Sequence, residues 1–200
     1  MSRYAPGHKQ EAKARILAAI GRGFRKNGYG GIGVDGLARE AEVTSGALYG
    51  HFPSKEAAFR EAVLAGIDEL RDGIETLRAE HGAKWIEIFI DFYLGHRRVC
   101  DLSESCALQS LTPEVQRSDS ETKADFETHM GLVAHAVADG LSGTDARDRL
   151  ARAWALLAIL SGGVTLARAM QDPQASDIIA AAIRPAAIKA AGKGAKSSAG

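Results

Sequence analysis

Residues 34–56 read Val34-Asp35-Gly36-Leu37-Ala38-Arg39-Glu40-Ala41-Glu42-Val43-Thr44-Ser45-Gly46-Ala47-Leu48-Tyr49-Gly50-His51-Phe52-Pro53-Ser54-Lys55-Glu56. Val34, Leu37, Ala38 and Ala41 recur at helical spacing and predict a short helix over 34–41. Glu42-Val43-Thr44 is a turn, and Thr44 is placed to cap a second short helix from Ser45 to about His51. Pro53 ends that helix, and Ser54 caps the next one at Lys55-Glu56. Two short helices joined by a tight turn make a helix-turn-helix. The N-terminal end of the second helix carries the small and polar residues Thr44, Ser45, Gly46 and Ala47. Such residues fit a double-stranded DNA major groove about 12 Å wide. Leu48 and Phe52 face inward, leaving Tyr49 and His51 as outward candidates. Lys55 stands at a helix start, where an ammonium and backbone amides together suit a phosphate.

Working outward, an amphipathic helix from about His8 to Lys26 precedes this pair, with Ala12, Ile16, Ile20 and Phe24 four apart on one face; Asn27-Gly28 stops it. Residues 1–60 hold ten lysines and arginines against five acids, a net of +5 that leaves −5 on the rest of a neutral chain. A basic front end on an acidic body suits one part that meets phosphate and another that does not. Downstream, helical periodicity predicts helices at about 55–81, 84–99, 104–111, from a Ser118/Glu121 capping box to Leu141, 145–170, and from about Ser176 with a kink or division at Pro185. Thr112-Pro113 reads as the cap and first residue of a further turn. The fold class is therefore all-α, with about nine helices: a DNA-binding domain over 1–53, a helical body over 54–191, and a Gly/Ala/Lys-rich tail over 192–200 expected to be disordered.

Gly28-Tyr29, then Val34-Asp35-Gly36-Leu37-Ala38, then Val43 through Glu56 with its Leu-Tyr-x-His-Phe-x-x-Lys core, resemble the signature of the tetracycline-repressor (TetR) family. The resemblance covers about residues 10–60 closely, and the rest of the chain only in helix order. It implies a homodimeric DNA-binding regulator, expected to be a repressor released by a small organic effector. The first three helices would read DNA, the fourth would link reader and body, the next three would wall a ligand cavity, and the last two would pair with a second subunit. Two positions depart from the pattern. Gly33 stands where Ser or Thr usually caps the first short helix. Glu42 stands where the turn usually has Gly; a left-handed backbone there costs a glutamate about 1 kcal/mol.

Phe89, Phe92, Tyr93, Phe126, Met130 and Trp154 are candidates for lining the effector cavity, and His96 and His129 for placing polar groups in it. Apolar pockets and plain cores draw on the same residue types. Cys106 joins this set, with a thiol in the first turn of its helix suited to electrophile or redox sensing; a buried small hydrophobe is the other reading. The segment Trp154–Val164 is apolar nearly all round. Leu157, Leu160, Gly163 and Val164, with Ile179 and Ile183, are accordingly the candidate dimer interface.

The six histidines and two cysteines make no ligand-spaced cluster, so no metal and no cofactor is expected. No catalytic constellation is visible, and the glycine-rich stretch at 28–33 lacks the strand and lysine of a phosphate loop. With no signal segment and no uninterrupted apolar run of roughly 18 residues, the location is expected to be cytoplasmic, away from any membrane. Two other functions are compatible with these residues: a helical small-molecule binder, and a nonspecific DNA binder with a weakened reader.

Overall fold

The computed structural model describes residues 6–192, all in helices and their connections, with no strand among them. Ten α-helices follow one another: α1 (Pro6–Gly31), α2 (Val34–Glu40), α3 (Ser45–Tyr49), α4 (Lys55–His81), α5 (Trp85–Leu94), α6 (His96–Val99), α7 (Ala107–Val115), α8 (Ser120–Asp139), α9 (Ala146–Arg168) and α10 (Pro173–Ala190). The predicted tail lies, from residue 193 on, outside the described residues.

The chain divides into two compact units. Among the described residues the first comprises 6–66 together with 101–126, and the second comprises 67–100 and 127–192. In the first unit, Ile16, Ile20 and Phe24 form the inner face of α1 and are buried with Leu37, Leu48, Phe52, Phe59 and Val63. Each such side chain contributes about 1.5–3 kcal/mol on leaving water. Phe24 meets Phe59 edge-on at 5.2 Å, and Tyr29 meets the same ring at 5.1 Å. Gly28, at φ 71°, breaks α1 where the sequence placed its stop, and the chain then adds one more turn to Gly31. The segment from 101 packs on α1, with Arg25 Nε donating to the Ser103 carbonyl at 2.7 Å.

Several boundaries differ from the sequence expectation, each for a local reason. The helix expected over 84–99 breaks at Gly95, giving α5 and α6. The helix expected from 104 begins later, after a 3-10 turn at Leu102–Glu104, so Cys106 is the N-cap of α7 rather than a first-turn residue. Thr112 and Pro113 open no new turn. They sit inside α7, where the Thr112 hydroxyl donates back to the Leu108 carbonyl. Asp119, not Ser118, caps α8: its carboxylate accepts from the Thr122 amide at 2.7 Å, while the Ser118 hydroxyl donates to the Val115 carbonyl. Pro185 lies within an undivided α10, which starts at Pro173 with Asp172 as its cap.

In the second unit, α9 packs on α10, and both meet α5. Trp85 Nε1 donates to the Gly140 carbonyl, and Arg78 donates to that of Ala136. Arg168 gathers three carbonyls of the α6 segment, from Arg97, Arg98 and Cys100. By length and composition α9 could cross a membrane, with a mean hydropathy of 1.6 over its most apolar window. Within the fold it is two-faced. Ala153, Leu156, Leu157, Leu160, Gly163, Val164 and Ala167 are buried. Ala151, Trp154, Ala155, Ala158, Gly162, Thr165 and Leu166 are exposed, as is Ala169 just past its end. At 3.6 residues per turn these two sets occupy opposite sides of the helix.

Candidate nucleic-acid interface

Gly33 precedes α2 in an extended conformation and offers no side-chain cap. Asp35 supplies negative charge in the first turn instead, favourable to the helix dipole. The turn is held by Glu42 N donating to the Arg39 carbonyl and Val43 N to that of Ala38. Glu42 adopts φ 55°, the left-handed conformation that disfavours a residue with a Cβ. Replacing Glu42 with glycine is expected to raise stability by about 1 kcal/mol. For a chain of this size that is roughly 2–4 °C in Tm. A melt showing a lower Tm for the variant would contradict a strained Glu42.

Thr44 caps α3 as the sequence indicates, its Oγ1 accepting from the Ala47 amide at 3.1 Å. Its own hydroxyl proton stays available to an outside acceptor. Thr44, Gly46 and Ala47 are exposed, and Tyr49 is 52% exposed. Leu48 and Phe52 are buried beneath them and seat α3 on the core. The tip of α3 is therefore polar, small and open. Ser45 is placed differently: its hydroxyl donates to Asp35 Oδ1 at 2.6 Å, tying α3 to α2. His51 is half-buried, with its ring beside that of Phe52.

Ser54 caps α4 through the Ala57 amide, which puts Lys55 in its first turn. The Lys55 ammonium donates to the Tyr29 carbonyl at 2.6 Å and lies 4.3 Å from the centre of the Tyr29 ring. The Tyr29 hydroxyl in turn donates to Glu56 Oε1 at 2.6 Å. Partial burial and this bond push the Tyr29 phenol up to about 12, while the bond from Tyr29 chiefly holds the Glu56 carboxyl below its ordinary range. The end of α1 is thus clamped to the start of α4 by one aromatic residue. Lys55 retains further N–H donors for a phosphate, but its position is set by Tyr29. Asp35 and Tyr29 are the two residues of this site that site assignment from the sequence missed. Asp35 shows only as an acid in a first turn, and Tyr29 only as an aromatic among glycines.

The eight candidate pocket residues are divided between the two units. Phe89, Tyr93 and Met130 are buried in the second unit. Cys106 (buried) and Phe126 (half-buried) belong to the first. Phe92 and Trp154 are 43% and 42% exposed, and His96 is exposed with its ring stacked on Phe92 at 5.3 Å. Phe92 lies on the outward side of α5, His96 opens α6, and Trp154 lies on the outward side of α9. His129 instead pairs with Asp68, Nδ1 to Oδ1 at 3.0 Å. Of the expected dimer contacts, Leu157, Leu160, Gly163 and Val164 are buried within the subunit, with Ile183 packed over Gly163, while Ile179 and Ile183 are half-buried. Among the described residues no group of three His, Cys, Asp or Glu side chains could hold a metal ion.

Residues 16–62, spanning α2, α3 and their flanks, match the family described as bacterial regulatory proteins, tetR family. YfiR, an HTH-type transcriptional regulator of Bacillus subtilis, is 31% identical over 83 residues, which are 40% of this chain and 39% of that protein. The match thus spans about two fifths of that relative's length. The fold is similar over most of the chain to a TetR transcriptional regulator from Legionella pneumophila, with TM-score 0.71 and 19% identity over 92% of this chain and 97% of the other. It is also similar to E. coli NemR in its reduced form, with TM-score 0.70 and 17% identity over 86% and 95%. The segment that matches the tetR family of bacterial regulatory proteins thus sits on a fold similar to those of solved TetR regulators.

Proposed function

We propose that the protein is a homodimeric, sequence-specific DNA-binding transcription regulator, a repressor whose grip on its operator is released by a small organic effector. The observation that carries this reading is the exposed tip Thr44–Tyr49, capped by its own threonine and backed by buried Leu48 and Phe52. A reader of this kind inserts such a tip into the major groove while cations at its edge meet phosphates. The exposed apolar face of α9 supports pairing, as does that of α10, with Ile178, Ala181, Ala182 and Pro185. A second copy covering these faces gives the two heads that a palindromic site needs. The same cover accounts for the apolar outer stripe of α9 in a cytoplasmic protein with no membrane partner.

The effector acts by binding one spacing of the paired heads better than the other, because equal affinity shifts nothing. The left-handed Glu42 and the uncapped Gly33 favour a second reading, a weakened reader that binds DNA without sequence preference. Footprinting separates the two, since only the first gives a discrete protected palindrome.

The assignment of the surface is tested by DNA-binding isotherms across salt concentrations. Lys55→Ala is expected to weaken all sequences alike and to lower the slope of log K against log salt by about one. Thr44→Ala and Tyr49→Ala are expected to cost about 1–3 kcal/mol on the preferred site and less elsewhere. Unchanged isotherms for all three variants would remove this face from DNA recognition.

A further inference from the structure

Beside the clamp between α1 and α4 lies a hollow of about 240 Å³. It is formed within the first unit by Tyr29 of α1, Glu56 and Phe59 of α4, Glu114 of α7, and the stretch from Arg117 to Thr122 that leads into α8. Its size is just below the roughly 300–1,000 Å³ of drug-sized sites, so it suits a fragment with a single ring. Tyr29 and Phe59 line it with aromatic surface, and the Tyr29 phenol is neutral. Around them stand three carboxylates, those of Glu56, Glu114 and Asp119, against the Arg117 guanidinium and the Lys55 ammonium, which is already engaged by the Tyr29 carbonyl and ring. Arg117 is largely in solvent, its side chain 69% exposed, and it lies 4.0 Å from Glu114. Glu56 and Asp119 are both held below the ordinary carboxyl range, Glu56 chiefly by the Tyr29 hydroxyl and Asp119 chiefly by the Thr122 amide, so both are charged near neutrality.

Glu114 is the carboxylate with least internal employment here. It reaches the hollow because Gly28, at φ 71°, has no Cβ: one placed there would lie 3.1 Å from Glu114 Oε1. The geometry points to a binding site for a small aromatic ammonium ion, its ring against Tyr29 and Phe59 and its charge at Glu114. Aromatic faces attract cations, and the surplus of carboxylates repels an anion of the same shape. The occupant would touch Tyr29, which sets the position of Lys55, and Glu56, which accepts from the Tyr29 hydroxyl. The site goes beyond the DNA-reading proposal and does not depend on it, because binding is read on the free protein.

The test is titration calorimetry of the full chain with three probes of one shape: phenethylammonium, neutral 2-phenylethanol and anionic phenylacetate. Phenethylammonium is expected to bind at least about tenfold more tightly than the alcohol, with phenylacetate weaker still. Glu114→Gln, a half-exposed position that the fold tolerates, is expected to lower ammonium affinity at least about fivefold at an unchanged thermal midpoint. Glu127→Gln makes the same charge change at an exposed position elsewhere on α8, outside the hollow, and is expected to leave affinity unaltered. Three outcomes would overturn the site: no binding of the ammonium up to about 10 mM, equal binding of ammonium and alcohol, or equal losses in Glu114→Gln and Glu127→Gln.

Discussion

An Ala158→Arg variant is expected to sediment as a monomer with its helix content intact, and to lose operator affinity by about 10²–10⁴-fold. Ala158 lies in the middle of the exposed stripe of α9, between Trp154 and Gly162. Arginine is nearly as good a helix former as alanine, so the subunit itself has no reason to unfold. In a two-fold interface the substitution enters twice, once from each copy, and brings guanidinium charges out of water with no acid on the stripe between Ala151 and Leu166 to meet them. Desolvating each charge costs several kcal/mol, comparable to what a modest interface supplies. Loss of operator affinity then follows from loss of the second head. Linked heads gain their affinity from effective concentration, whereas a single head is left with one half-site. Analytical ultracentrifugation reads the first effect, and anisotropy on duplexes with one and two half-sites reads the second. A variant that remains dimeric at micromolar concentration would place the interface elsewhere. Equal affinities of wild type and variant for the two-site duplex would mean that pairing does not serve DNA binding.

The parts of the fold legible in the sequence are those decided within a few residues. Thr44 and Ser54 cap helices because a short polar side chain precedes a periodic apolar run, and each accepts the expected backbone amide. The left-handed turn at Glu42 was legible only as a condition on the backbone, and the φ of 55° meets it. Errors arose where two local signals competed. Thr112-Pro113 has the form of a helix start, yet α7 absorbs both, since the threonine can donate back to Leu108. Ser118 and Asp119 can each cap α8, and a carboxylate that takes both the Thr122 amide and hydroxyl prevails.

Placement in space was less legible still. Nothing local says that residues 101–126 group with the reader, because the tie between Arg25 and Ser103 joins positions 78 apart. The faces of α9 failed for a different reason. Periodicity locates a buried face by contrast with a polar one, and α9 is apolar on both sides. Leu157 and Val164 lie in the interior, while alanines and a glycine hold most of the outer stripe. The polar tip of α3 was legible because it combines small exposed residues with two large buried anchors. Its staple to Asp35 was not, since a hydroxyl and a carboxylate ten residues apart give no sequence signal.

The same helix yields the other large effect. Gly163 and Gly162 are neighbours with opposite surroundings. A Cβ on Gly163 would collide with Ile183 of α10, whereas one on Gly162 meets nothing within 4 Å. Gly163→Leu is therefore expected to destabilise the fold by about 2–3 kcal/mol, net of the roughly 1 kcal/mol that leaving glycine gains a helix. That corresponds to roughly 5–10 °C in Tm for a chain of this length. Gly162→Ala, which makes the helical gain without the collision, is expected to leave the subunit no less stable. If close approach is the cause, removing the colliding side chain must relieve it: Ile183→Ala in the Gly163→Leu background should cost less than the sum of the two single changes. Strict additivity would mean that α9 and α10 do not need glycine to meet, and the damage would then have to come from α9 alone. Thermal melts of the four proteins in one buffer decide between these outcomes. Coupling of 1 kcal/mol or more would fix the register of α10 on α9, and with it the exposed faces that a second copy would cover.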